Sequence, residues 1–264
     1  MRAFFDYGLR LMMAVMMTVA LAVPARAADL TIAAAADLKF AMDEIVAAFR
    51  KTRSEATIDV IYGSSGKFST QIRQGAPFDL YFSADIDYAR QLEQQGLAAG
   101  PARLYAVGRI VLWSAGRDAS RMTLAALADP AVRRIAMANP LHAPYGKRAE
   151  EALRAAGVWE AVQGKLVFGE NIAQTAQFVQ TGNADVGIVA LSLVLNPALS
   201  GTGGYHLIDE RLHAPLEQGF IVTRRAAGNA AAAAFAAYME GATARSIMVR
   251  YGFVLPAATG GKTD

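Results

Sequence analysis

Residues 58–72 read IDVIYGSSGKFSTQI. A run rich in β-branched and aromatic residues leads into a turn with two serines between two glycines, and Phe68 and Ile72 then recur at helical spacing. The same strand, turn and helix pattern extends in both directions. Upstream, LTIAAAA (30–36) is followed by Asp37, placed to cap a helix, and by Leu38, Ala41, Met42, Ile45 and Phe49 on one helical face. Downstream, DLYFSAD (79–85) leads into a helix over 86–95 closed by Gly96. The unit restarts at IAMANP (135–140) with a helix over 147–156, at KLVFGEN (165–171) with a helix over 172–181, and at DVGIVAL (185–191). Helices over 229–240 and 244–251 close the chain. Such alternation predicts an α/β fold.

Two stretches interrupt the repeat. RLYAVGRIVLWS (103–114) reads as one long crossing strand, and HLIDERLHAPLEQGFIVT (206–223) as a second crossing. Two crossings predict two lobes with a cleft between them: lobe I from 28–107 plus 208–264, lobe II from 108–207. The first 27 residues differ in kind. Arg2 and Arg10 precede the apolar run LMMAVMMTVALAV, and Ala25-Arg26-Ala27 has the form of a cleavage site, so 1–27 reads as a cleaved signal peptide and the chain as exported to the periplasm. Removing Arg2, Arg10, Arg26 and Asp6 with it lowers the formal net charge from +3 to +1. No basic block remains to follow a nucleic-acid backbone, and the absence of cysteine removes disulfides, thiolate metal sites and thiol nucleophiles.

The GSSGK turn is neither a nucleotide cradle nor a nucleophile elbow. A P-loop needs glycine where Ile61 stands and a hydroxyl where Phe68 stands; an elbow needs glycine at Lys67. An exported hydrolase using Ser64 or Ser65 would also have to draw its base from His142, His206 or His213. Read alone, the turn is a serine-capped helix start. Its recurrence at AAAAD/LKF, APYG/KRA and GEN/IAQ adds a second reading, in which several helix N-termini line one cleft and offer backbone N–H groups to an anion. The residues by themselves leave both readings open. Asp85 and Asp87 read as a helix start rather than a cation site, Trp113 and Trp159 as packing residues, and His142 as a loop or rim residue.

AAAADLKFAMDEI, YGSSGKFSTQIRQGAPFDLYFSAD, ANPLHAPYGKRAEEAL and GENIAQTAQFVQTGNADVGIVAL together resemble the periplasmic molybdate-binding proteins (ModA) of ABC import systems, over nearly the whole chain after residue 27. The resemblance implies a two-lobed type II periplasmic binding protein fold. It implies molybdate or tungstate held between the lobes by neutral donors, no catalysis, no cofactor, no cation site, and a monomer that delivers to a membrane permease. Ser65 matches a serine donor, Tyr145 a backbone N–H donor that carries a tyrosine in one branch, Ile172 an apolar residue donating its N–H, and Ala36 and Asp37 the first binding loop. Some members supply a tyrosine hydroxyl where this chain has Ala190, and Tyr145 is the expected replacement.

Asp37 is the anomaly, an acid where the resemblance expects a donor. A unit-charge pair ~4 Å apart at an effective dielectric of ~20 interacts by about 4 kcal/mol, so an ionised carboxylate facing a dianion is unfavourable. Asp37 is therefore expected either to turn away as a cap or to be neutralised by Lys39 or Lys67, with Ser64 beside them around the ligand shell. A different ligand is the third outcome. A receptor for sulfate, phosphate or a small organic acid is the rival within the binding class, and a serine hydrolase the rival outside it.

Overall fold

The computed structural model describes residues 29–54, 57–199 and 203–256, so the expected signal segment 1–27 lies outside the described residues. Within them lie two five-stranded sheets. The first contains β1 (Leu30–Ala35), β2 (Ile58–Gly63), β3 (Leu80–Ser83), β4 (Arg103–Gly108) and, from near the end of the chain, β10 (Leu216–Val222), in the order β2-β1-β3-β10-β4. The second contains β5 (Ile110–Ser114), β6 (Ile135–Ala138), β7 (Leu166–Gly169), β8 (Val186–Ala190) and β9 (Gly204–Leu207), in the order β7-β6-β8-β5-β9. β1 runs parallel to β2 and β3, and β6 parallel to β7 and β8, whereas β10 and β5 run antiparallel to their neighbours.

The stretch read as one long strand is broken at Arg109: β4 belongs to the first sheet and β5 to the second. The return passes between β9 and β10. Alternation of apolar residues cannot reveal such a break, because both halves are β-rich apolar runs, each satisfied in its own sheet.

The helices are α1 (Lys39–Thr52), α2 (Ser65–Arg73), α3 (Ile86–Gln94), α4 (Pro144–Ala155), α5 (Trp159–Val162), α6 (Ile172–Gln180), α7 (Leu191–Val194), α8 (Ala230–Glu240) and α9 (Ala242–Arg250). α1 buries Ala41, Met42, Ile45, Val46 and Phe49, the stripe its spacing predicts. α4 begins three residues before the expected Lys147, because Pro144 has no N–H to lose in a first turn. Asp85, Asn171 and Asn229 cap α3, α6 and α8 through their side chains. One apolar core fills the second lobe around the fully buried Trp113, and two cover the faces of the first sheet. Ala35, Ala36 and Ala84 of the first lobe pack into the core of the second, so the lobes meet across the cleft. Trp159 is partly buried, with the Arg154 guanidinium 4.4 Å above its ring.

Candidate functional site

Parallel strands deliver their C-terminal ends to one side of a sheet, and each lobe turns that edge toward the other. Four strand-to-helix junctions meet there: the 3-10 turn Ala36–Leu38 after β1, Ser64–Ser65 after β2, Ala143–Tyr145 after β6, and Asn171–Ile172 after β7. Contacts between lobes tie these junctions together. The Gly66 N–H donates to the His142 carbonyl at 3.0 Å, and Ser64 Oγ lies 3.0 Å from His142 Nδ1 and 3.1 Å from that carbonyl. Only glycine permits this approach at 66, since a Cβ would lie 2.8 Å from the His142 oxygen. Lys67 and Glu170 form an ion pair at the rim, and Arg148 lies 3.8 Å from Asp85.

Each junction leaves donors of the kind that helix N-termini offer. Ser65 Oγ accepts from the Ala84 N–H at 3.0 Å, leaving its own proton to donate, while the Tyr81 hydroxyl fixes the Ser65 carbonyl at 2.8 Å. Pro144 carries no N–H, so Tyr145 presents the first donor of α4. The Asn171 cap takes Ala173 and Gln174 N–H at 3.0 Å each, and the Ile172 N–H stays outside that cap. Ala36, Ser65, Tyr145 and Ile172 are all buried.

Asp37 is buried as well, and its surroundings differ from expectation. Oδ2 accepts from the Tyr145 hydroxyl at 3.0 Å and from Gln218 Nε2 at 2.7 Å, while Oδ1 is buried without a partner. Ser192 Oγ donates to the Asp37 carbonyl at 2.8 Å. Burial raises the carboxyl pKa to about 6, against the opposing pull of Gln218, Tyr145 and nearby backbone N–H groups. Tyr145 and Tyr105 are pushed well above the usual phenol range by burial and then by Asp37, so both remain O–H donors. His142 is shifted down by burial and by Lys67.

A model of the bacterial extracellular solute-binding protein family matches residues 30–254. The chain belongs to that family. The molybdate-binding protein ModA of Azotobacter vinelandii is 38% identical over 237 residues, covering 89% of this chain and 93% of that one. The Rhodobacter capsulatus molybdate-binding protein ModA is 36% identical over 243 residues, covering 91% and 94%. A solved structure of the Azotobacter vinelandii periplasmic molybdate-binding protein aligns with a TM-score of 0.80 at 31% identity, covering 86% of this chain and all of that one. The α/β periplasmic binding protein fold read from the sequence is therefore the fold of this receptor, which is a binding protein and not an enzyme.

Two expectations for Asp37 are corrected. It is no cap, because no side-chain cap bond is made at either helix start around it. Nor is it neutralised by a lysine: Lys39 Nζ pairs with Asp43 at 3.0 Å on the solvent side of α1, four residues along the helix, and Lys67 is taken by Glu170. Ser64 does not cap α2 through its side chain but reaches His142 instead. The Tyr145 hydroxyl, expected to stand in for the donor missing at Ala190, is engaged by Asp37. Gln218, Tyr105 and Ser192 were not singled out by sequence. For Gln218 a signal existed: alternation along β10 puts it on the buried face with Leu216 and Phe220, where a polar residue needs partners.

A cavity of about 180 Å³ also opens between the lobes, lined by Asp85, Asp87, Tyr88 and Lys147 among others. Its two carboxylates make it a poor host for an anion.

Proposed function

We propose that this receptor closes its lobes over a tetrahedral oxyanion, molybdate or tungstate, and delivers it as an exported monomer to the membrane permease of an ABC importer, with no cofactor. The ligand-binding residues in this reading are Ala36, Asp37, Ser65, Tyr145 and Ile172. One observation carries it: four helix starts, two from each lobe, converge on a buried contact whose donors are neutral, while both nearby lysines are paired elsewhere. Neutral N–H and O–H dipoles bind a desolvated anion without a fixed cation and without chemistry. The molybdate-binding relatives support the same ligand class. Because both lobes supply donors, the anion favours the closed form and leaves when the lobes open.

A thermal-shift screen of the chain from residue 28 against molybdate, tungstate, sulfate, phosphate and chromate tests this. A ligand at ~100 times its dissociation constant adds about 2.7 kcal/mol, which corresponds to about 5–10 °C for a chain of this size. Molybdate and tungstate are expected to give that shift. A flat response to both, beside a clear shift with sulfate or phosphate, would reject the assignment.

A further inference from the structure

We infer that Asp37 contacts the anion as a neutral carboxylic acid, donating its Oδ1–H to an anion oxygen, so that each dianion loaded brings one proton into the cleft. The inference rests on the oxyanion reading above and adds the protonation state of the site to it.

The hydrogen bonds place the proton. Tyr105 has one hydroxyl proton and gives it to Gln218 Oε1 at 2.7 Å, which fixes the amide so that Nε2 points at Asp37. Oδ2 then receives two donors, from Gln218 and Tyr145, and behaves as the carbonyl oxygen of an acid. The acid proton belongs on Oδ1, the buried oxygen with no partner. Among the described residues that O–H has no acceptor, and an ionised Oδ1 makes no hydrogen bond, with only the nearby Asp37 and Leu38 backbone N–H groups favouring its charge. An anion oxygen supplies the missing acceptor. The position is right, because Asp37 lies in the turn that packs against α6 and is bonded to Tyr145 at the start of α4.

No other charge does this work. The turn Ala36–Leu38 packs against α1, β2, α6 and α7, and α4 and β10 reach it through Tyr145 and Gln218. α6 and α7 carry no titratable side chain. On α1, Lys39 is held by Asp43, which also accepts from Tyr62 of β2. Asp59 of β2 and Glu217 of β10 are exposed. On α4, Arg148 is paired with Glu151 and Asp85, and Tyr145 stays protonated, as does Tyr105 of β4. His142 is engaged with Ser64. Among the described residues no cation forms an ion pair with Asp37.

The sign of the pH dependence follows. A carboxyl whose pKa is about 6 when buried between the closed lobes, and no higher when they part, must take up a proton to load at neutral pH, so affinity falls as pH rises, by about 50- to 100-fold between pH 6 and pH 8. The test is isothermal titration calorimetry with molybdate in PIPES, HEPES and Tris at pH 7.5, plus a pH series from 6 to 8.5, on wild type and Asp37→Asn. Wild type should take up close to one proton per anion. Asp37→Asn, whose amide donates at every pH, should take up none, show a flat profile and bind more tightly than wild type at pH 8. Binding by wild type without proton uptake overturns the inference but leaves the anion site standing. Uptake that persists in Asp37→Asn also overturns it, because the proton then belongs to His142 or to the anion. Absence of binding by wild type at any pH overturns the anion reading together with the inference. The wild-type proton count decides the matter even if the variant folds poorly.

Discussion

Gly108 ends β4, one residue before the chain leaves the first sheet. A Cβ at this position would lie 2.3 Å from the Tyr145 hydroxyl oxygen, 3.2 Å from its Cζ and 2.6 Å from Gln218 Nε2. The amide is held by Tyr105 and Asp37, and the phenol is the tip of a rigid, buried ring, so neither has an easy retreat. Gly108→Ala therefore drives Tyr145 away from Asp37. Overpacking of this kind costs about 1–3 kcal/mol. Tyr145 stands on α4 of the second lobe while Gly108 and Gln218 belong to the first, so the clash with Tyr145 exists only when the lobes are together, whereas the close contact with Gln218 lies within the first lobe. The Tyr145 part of the penalty falls on closure, and about 1–3 kcal/mol there weakens binding by about 5–150-fold. Calorimetric titration with molybdate at pH 6 measures the loss, and circular dichroism melting without ligand measures the lobes themselves. Affinity should fall within that range, while the Gln218 contact alone lowers the ligand-free melting temperature by a smaller amount. Wild-type affinity in the variant, or an equal loss of ligand-free stability, would refute the placement of the clash at the closing contact.

Two further outcomes are expected. Ser65→Ala removes the acceptor of the buried Ala84 N–H as well as a ligand donor, so urea unfolding without ligand should show a loss of about 1–3 kcal/mol; an unchanged midpoint would mean that the N–H finds another partner. The second concerns pH: the Asp37 pKa is raised from 3.8 to about 6 in the folded chain, so the folded state holds this proton more tightly than the unfolded one. Its contribution is then greatest below pH 4 and is lost as pH rises to 6, up to about 3 kcal/mol for the arrangement in which Tyr145 and Gln218 bury it. The difference in unfolding free energy between wild type and Asp37→Asn, followed from pH 4 to pH 7, should decline over that window, and a flat difference would remove the buried-acid account.

Strand-to-helix junctions were legible because each is local: a short apolar run, small residues and a helical stripe lie within some 15 positions of one another. Ala36, Ser65, Tyr145 and Ile172 came from the resemblance to molybdate-binding proteins; the local pattern supplied the helix starts on which they sit, not the residues themselves. What Asp37 bonds to was not legible. Its partners are Tyr145, 108 positions away, and Gln218, 181 positions away, brought in by sheet order rather than by chain order. Lys39 looked like a counterion because it is two positions away and Lys67 because its turn was read as lining the same cleft, yet α1 points Lys39 outward to Asp43 and the rim gives Lys67 to Glu170. The break at Arg109 was hidden for a similar reason, as strands of two different sheets present one continuous apolar pattern.

Asp37 also bears on how a cleft lined with neutral donors holds a dianion. Helix N-termini carry partial positive charge, and in the empty receptor above pH 6 the Asp37 carboxylate is itself the anion beside them. If Asp37 stayed ionised on loading, the buried charge would change from one negative unit to three. Proton uptake limits the change to a single unit, from a carboxylate to a dianion beside a neutral acid, and converts a repulsive oxygen into a donor. Desolvating charge is the dominant penalty in a site without a cation, so the smaller change lowers that penalty most where it is greatest. The Tyr145 and Gln218 bonds to Oδ2 are available in both protonation states, because Oδ2 is an acceptor in each. The contact between lobes can therefore form in either protonation state of Asp37, and only Oδ1 changes its role when the anion loads.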